Sequence, residues 1–423
     1  MRQLASDGPF GSRLSKRTAL LCALALTTSA VLLGLTRPAQ AASTATRTGN
    51  PTLHAWIAGF QNYGARGSDP ATTPQQDATN FDLIVDPIGQ PDDATAALMD
   101  SLHQTNPNLK YLVYLNGCCY MGRDNYNYPE SSYAHDASGN RMNSSAGAPL
   151  MNRRDATWRT RRATLCQAWI NQFHFDGCFY DSFSFQWFST GGKTPIDPLT
   201  KKPWTQSDYD QAGQDILAYV RQTVRTVTGG PIQIGINGLA NGKSYFGSGK
   251  AALVPNTDYA MAETFFVTPT DAVTAYRSEA DWKKDVDMVV DVGKRGRHFI
   301  GTVKSWTSGT QAQKDQLLRY VSASFLLGAD PNVTAYLNFQ NEHGLYGGSQ
   351  YSSFWNSNIG TPTGPYAKIG NCYVRPFTRG KVVVNPTTST CSYSLGGTYT
   401  DTTSGAKVTT AKLAVHTGDI YAF

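Results

Sequence analysis

A (β/α)8 barrel followed by a small antiparallel β-domain is the fold class this sequence predicts. Three observations predict it. Eight strand-like runs alternate with helical stretches between Leu53 and Gln340. Polar residues gather at the carboxyl ends of most of those runs. From about Gly370 onward, helical periodicity stops and short β segments between turn residues replace it.

The runs are Leu53–Phe60, Phe81–Ile88, Leu109–Asn116, Phe175–Ser182, Ile232–Gly238, Asp258–Phe266, His298–Ser305 and Val333–Gln340. Helical stretches at Pro91–Gln104, Asp155–Phe173, Ser207–Val227, Thr270–Val289 and Thr310–Leu327 separate them. Ser207–Val227 is the clearest helix. Tyr209, Ile216, Leu217, Val220 and Val224 share one face, and Ser207 and Asp208 are start signals. Strands alternating with helices imply parallel β/α units. A doubly wound open sheet is the other candidate, but no Gly-rich phosphate loop follows the first strand.

In such a barrel one face of each strand meets the helices and the other points inward. The apolar pattern puts Phe81, Leu83 and Val85 outward on the second strand and leaves Asp86 inward. It leaves Tyr114 and Asn116 inward on the third strand, and Gly177, Phe179 and Asp181 on one face of the fourth. Ile232, Ile234 and Ile236 point outward on the fifth, with Asn237 inward. Small Ala260 and Ala262 point outward on the sixth, with Glu263 inward. Lys304, near Trp306, is inward on the seventh, and Tyr336 and Asn338 are inward on the eighth.

Two long connections, 117–149 and 183–206, leave the ends of strands three and four and would wall the barrel mouth. The second carries Phe185, Trp187 and Phe188. A third Gly/Ser/Asn/Tyr-rich stretch, 341–366, follows strand eight. The closing segment, 370–423, holds β signals around Lys381–Asn385, Ser392–Leu395, Lys407–Thr409 and Asp419–Phe423.

The first 41 residues read as a cleaved signal peptide: Arg2, Arg13, Lys16 and Arg17, then an apolar run, then Ala39-Gln40-Ala41. A short linker at 42–51 leads to the barrel at 52–369. Export is therefore expected, with no membrane association beyond the cleaved segment. Six cysteines remain after cleavage: Cys118, Cys119, Cys166, Cys178, Cys372 and Cys391. An even number in an exported chain suggests disulfides. Cys372 and Cys391 lie in the same small domain and are expected to pair. The other four allow three pairings. Parity turns Cys178 toward the helix layer that carries Cys166, which leaves Cys118 and Cys119 for each other.

The net charge of +6 is spread thinly. Its one dense cluster, Arg153, Arg154, Arg159, Arg161 and Arg162, is expected on the solvent face of one helix. No nucleic-acid motif accompanies it, so nucleic acid is not an expected partner. No metal-ligand spacing, G-x-S-x-G elbow or H-E-x-x-H occurs, and neither a metal nor a cofactor is expected. The chain is expected to be a monomer.

Asp181 and Glu263 are the natural acid/base pair, because strands two apart around a barrel can face each other across the mouth. Glycoside cleavage needs two such carboxyl groups. Burial among Ala262, Thr264 and Phe265 would raise the pKa of Glu263 and suit it as the acid, with Asp181 as nucleophile or base. The competing view is a structural Glu263–Lys304 pair. Asp86, Tyr114, Asn116, Trp187, Asn237, Lys304, Trp306 and Asn338 are candidate substrate-binding residues, and Trp56 is a further stacking candidate.

Phe175-Asp176-Gly177-x-Phe179-x-Asp181, followed by Ala262-Glu263-Thr264-Phe265, resembles uncharacterised TIM-barrel glycoside hydrolase families. These are akin to the endo-α-1,4-polygalactosaminidase family and, more distantly, to clan D α-galactosidases. Arg379–Pro386, Leu395–Tyr399 and Gly418-Asp419-Ile420 resemble the β-domain that closes such chains. The resemblance implies a secreted hydrolase of a poly- or oligosaccharide, with Asp181 matching the strand-four carboxylate and Glu263 the strand-six one. It also implies a retaining reaction. A chitinase would need a Glu shortly after strand four, and the large β-glycosidase clan one at the end of strand seven; neither is present. The alternative is a catalytically silent barrel that binds glycans at the cell surface.

Overall fold

A computed structural model describes residues 53–58, 78–85, 95–122, 126–188, 190, 192–340, 349–350 and 352–423. The signal and linker segments, Asp86, and the side chains of Trp56 and Trp187 lie outside the described residues.

Eight parallel strands follow in chain order: β1 (His54–Ala58), β2 (Leu83–Val85), β3 (Lys110–Asn116), β4 (Gly177–Asp181), β5 (Gln233–Asn237), β6 (Tyr259–Ala262), β7 (His298–Lys304) and β8 (Tyr336–Gln340). Each pairs with the next, and β1 also pairs with β8, so the sheet curls into a barrel. The barrel core is apolar. Leu83, Val85, Leu112, Phe179, Tyr259, Met261, Ile300 and Tyr336 form one inner cluster. Gly235 makes room for it, since a Cβ there would come within 2.5 Å of the Phe179 ring. Leu83 and Val85 therefore point inward, the reverse of the parity expected for the second strand; Ile84 faces the helices instead.

The long helices are α1 (Ala96–Thr105), α2 (Ala156–Phe173), α3 (Gln206–Thr223), α5 (Glu279–Lys294) and α6 (Gln311–Gly328), with a short α4 (Gly242–Gly247). Each long helix starts on a Thr, Asp or Ser whose side chain accepts a first-turn N–H. The helix expected from Thr270 starts only after Ser278. Arg277 holds the intervening turns by donating to the Thr264 carbonyl and to Asp285. The arginine cluster also departs from expectation. Arg153 and Arg154 precede α2, and Arg153 and Arg162 are buried. Arg162 packs 4.0 Å from the Trp158 ring and donates to the Tyr128 hydroxyl. Packing against aromatic faces accommodates the guanidinium groups.

Among the described residues no α-helix follows β8. The chain continues through a 3-10 turn, Ser353–Asn356, into a six-stranded antiparallel sheet. Its strands are β10 (Ala367–Ile369), β11 (Cys372–Phe377), β12 (Gly380–Asn385), β13 (Cys391–Asp401), β14 (Lys407–Leu413) and β15 (Thr417–Ala422); β9 (Ser349–Gln350) edges the barrel. This sheet packs on α6. A Cβ at Gly418 of β15 would sit 2.8 Å from the Ala323 Cβ, so only glycine allows that approach. Arg375 of β11 donates to the carbonyls of Leu326, Leu327 and Ala329 at 2.9, 2.9 and 2.6 Å and so caps the helix end.

Three disulfides join Cys118 to Cys119, Cys166 to Cys178 and Cys372 to Cys391, the pairings expected from the sequence. The second ties α2 to β4 with the Cα atoms 6.0 Å apart. Such bonds fit an oxidising, extracellular compartment. Thiol titration of the unreduced, denatured mature chain is expected to find no free thiol; a thiol count of two or more would remove at least one pairing. Among the described residues no helix is long and apolar enough to cross a membrane.

Candidate active site

Asp181 is the last residue of β4, and Glu263 lies one residue beyond β6. Asn237, the last residue of β5, lies between them. Its Nδ2 donates to Asp181 Oδ1 at 2.7 Å and to Glu263 Oε2 at 2.8 Å. Those two distances bound the Oδ1–Oε2 separation at 5.5 Å. The Tyr114 hydroxyl donates to Asp181 Oδ2 at 2.5 Å, and the Ser182 hydroxyl reaches the same oxygen at 3.2 Å. Lys304 donates to Glu263 Oε1, and its ammonium lies 4.8 Å from the Trp306 ring centre. The strand order explains this convergence, since β3 to β7 are consecutive neighbours whose inward tips share one end of the barrel.

The Asp181 carboxyl is pushed up, by burial first and then by the Glu263 charge, while the Tyr114 and Asn237 hydrogen bonds pull it back. Burial and the Asp181 charge push the Tyr114 hydroxyl well above its ordinary range, so it remains a proton donor in the hydrogen bond. Glu263 is less enclosed than expected. One-third of its side chain is exposed, against 10% for Lys304. The Glu263–Lys304 pair exists, but it stands in the mouth and shares Asn237 with Asp181. A purely structural pair would not need that link.

Tyr114, Asp181, Asn237, Glu263, Lys304 and Trp306 thus come together. Asn116 does not touch the carboxylates. Its Oδ1 accepts the Cys118 and Cys119 N–H groups at 3.0 and 2.7 Å, which ties it to the segment that follows β3. Asn338 is buried on the inward face of β8, away from the pair's own hydrogen bonds. Sequence reasoning missed Ser182, which adopts φ 54°. It also missed Thr302 and Gln340, which share parity with Lys304 and Asn338 and could have been found by it. Asp176 of the strand-four motif is structural: its Oδ2 accepts the Tyr111 N–H at 2.7 Å at the far end of β4. Left-handed backbone at Ser182, Ala240 and Phe266 (φ 54°, 61° and 60°) turns the chain sharply after β4, β5 and β6. Such outliers cluster at functional sites. Among the described residues no His, Cys, Asp or Glu cluster could hold a metal ion.

A family model described as hypothetical glycosyl hydrolase family 15 matches residues 103–381. The chain belongs to this family. Membership places it among the glycoside hydrolases, and the matched span of this family 15 member runs from α1 to β12. No curated protein matches the sequence. Among solved structures, a noncanonic maltogenic α-amylase from Thermotoga neapolitana is similar at 9% identity and a TM-score of 0.51, covering 88% of this chain and 98% of that one. A Nostoc punctiforme debranching enzyme is similar at 11% identity and 0.48, covering 88% and 98%. A Malbranchea cinnamomea α-amylase stands at 12% and 0.48, covering 89% and 96%. At such identity the likeness to the Thermotoga protein is one of fold, a barrel with an amylase-like arrangement.

Proposed function

We propose that this family 15 member is an exported hydrolase that cleaves O-glycosidic bonds of a poly- or oligosaccharide with net retention. The observation that carries the reading is the shared Asn237 amide, which bounds the separation of the facing oxygens, Asp181 Oδ1 and Glu263 Oε2, at 5.5 Å. Retaining glycosidases place their carboxyl groups about 5–5.5 Å apart, and inverting ones about 6.5–9.5 Å. A silent glycan binder has no need for two converging carboxylates. The barrel reads as a (β/α)8 design in which, among the described residues, the β-domain and not an α-helix follows β8.

Asp181 would attack the anomeric carbon. Donors reach both of its oxygens and fix the carboxylate for attack. Glu263, partly open to the mouth, would protonate the departing oxygen and later take a proton from water. Lys304 would steady the Glu263 carboxylate once that proton has left. Trp306, Trp187 and Asp86 are candidates for contact with further sugar units.

Asp181 must be charged to attack. Because its carboxyl is pushed up, the acid limb of kcat/KM should fall at a pH above the usual Asp value of about 3.9. Tyr114→Phe removes a donor to the charged form and should move that limb to still higher pH. An unmoved limb would detach Tyr114 from the reacting carboxyl. The function itself is tested by product analysis after incubation with microbial, fungal and plant polysaccharides. Release of sugar from at least one is expected, and release from none contradicts the reading.

A further inference from the structure

The inner wall formed by β7 and β8 carries polar groups that the chemistry above does not use. Thr302 and Asn338 are each 1% exposed and Gln340 is 3% exposed. Thr302 Oγ1, both polar atoms of the Asn338 amide and Gln340 Oε1 are buried without a hydrogen-bond partner. Buried polar groups are nearly always paired, because leaving them unpaired costs stability. Thr302, Asn338 and Gln340 bring four such atoms to one wall.

Their placement is fixed by the sheet. Thr302 pairs in register with Asn338, and Lys304 pairs with Gln340. Ile300 and Tyr336 lie in the inner cluster, and alternation puts Thr302, Lys304, Asn338 and Gln340 on the same inward face. Ala262 pairs with Gly301, so the tip of β6 that bears Glu263 stands beside Thr302. The unpartnered wall therefore adjoins the carboxylate pair.

We propose that Thr302, Asn338 and Gln340 form a sugar-hydroxyl subsite that selects an uncharged sugar ring. This deepens the hydrolase reading and rests on it. A primary amide offers two donors beside an acceptor. Adjacent ring hydroxyls, each both donor and acceptor, complement that set. A charged sugar fits worse. Among the described residues, the charged groups at the mouth already face partners, Lys304 with Glu263 and Asp181 with Tyr114 and Asn237. Among the described residues the wall carries one charge, Lys304, which Glu263 already holds, so neither a uronate nor an ammonium sugar would find a free counter-charge there.

The test measures binding of glucose, galactose, mannose, galacturonate and galactosamine to the full chain by calorimetry. At least one neutral hexose should bind. Both charged sugars should bind at least about tenfold more weakly, and Asn338→Ala and Thr302→Ala should each weaken the hexose by about tenfold. Asn338→Leu, which fills the same space without polar atoms, should lose the hexose while its thermal midpoint stays level or rises. Equal or tighter binding of a charged sugar, no hexose binding, or a hexose affinity unmoved by both alanine variants would overturn the subsite. So would an Asn338→Leu chain that unfolds at lower temperature, which would make Asn338 structural. If polysaccharides are cleaved but Asn338→Ala leaves KM and kcat unchanged, the subsite fails and the hydrolase reading stands. If nothing is cleaved but hexose binding depends on Asn338, the subsite stands and the hydrolase reading fails.

Discussion

Asp181→Asn is expected to lower kcat by roughly 10⁴-fold on every glycoside the enzyme accepts, whatever the leaving group. The amide has the same shape and keeps a carbonyl oxygen for Tyr114, but it cannot form the glycosyl–enzyme bond. Glu263→Gln should behave differently. It should cost about 10²–10⁴-fold on natural linkages, whose departing oxygen needs a proton. It should cost far less on activated aryl glycosides in the bond-breaking step, because their leaving group departs unprotonated. The contrast between the two variants assigns the roles. If Asp181→Asn is the variant that spares activated substrates, the roles are exchanged. If either substitution leaves polysaccharide cleavage intact, that carboxyl is not part of the chemistry.

The largest expected effect on stability lies far from the mouth. Arg375→Ala should lower the folding free energy by about 3 kcal/mol, because it leaves buried carbonyls without donors. Those carbonyls belong to Leu326, Leu327 and Ala329 at the end of α6, and Arg375 also donates to Gly364 at 3.0 Å. The same side chain joins the β-domain to the helix layer. Arg375→Lys keeps the charge but not the planar fork that reaches several carbonyls at once, so it should recover only part of the loss. Thermal unfolding of both variants checks this. An unchanged midpoint for Arg375→Ala would show that the two layers hold together without the cap.

Much of the mouth was legible from the sequence because one face of β4 to β8 is more apolar than the other. Ile232, Ile234 and Ile236 mark the helix-facing side of β5, so Asn237 had to face inward. The same contrast placed Cys178 against Cys166. It failed on β2, where Leu83 and Val85 fill the barrel while Ile84 meets the helices. A strand that is apolar on both faces has no parity signal. The start of α5 was also hidden, because Ser278 becomes the cap only once Arg277 binds the Thr264 carbonyl and Asp285. Neither is its immediate chain neighbour. Charge misled in the arginine cluster, because aromatic partners such as Trp158 and Tyr209 accept guanidinium groups inside the fold. The direction in which the Asp181 carboxyl is shifted was not legible either, because it depends on burial and on a Glu263 charge that is distant in the chain.

The central claim is that Asp181 and Glu263 cleave a glycosidic bond through a covalent intermediate. Proton NMR of the first-formed product, recorded before mutarotation on any oligosaccharide the wild-type enzyme cleaves, tests it most directly. An Asp181 Oδ1–Glu263 Oε2 separation of no more than 5.5 Å predicts that the new reducing end appears with the anomeric configuration of the bond that was cut. Initial appearance of the opposite anomer would contradict the account.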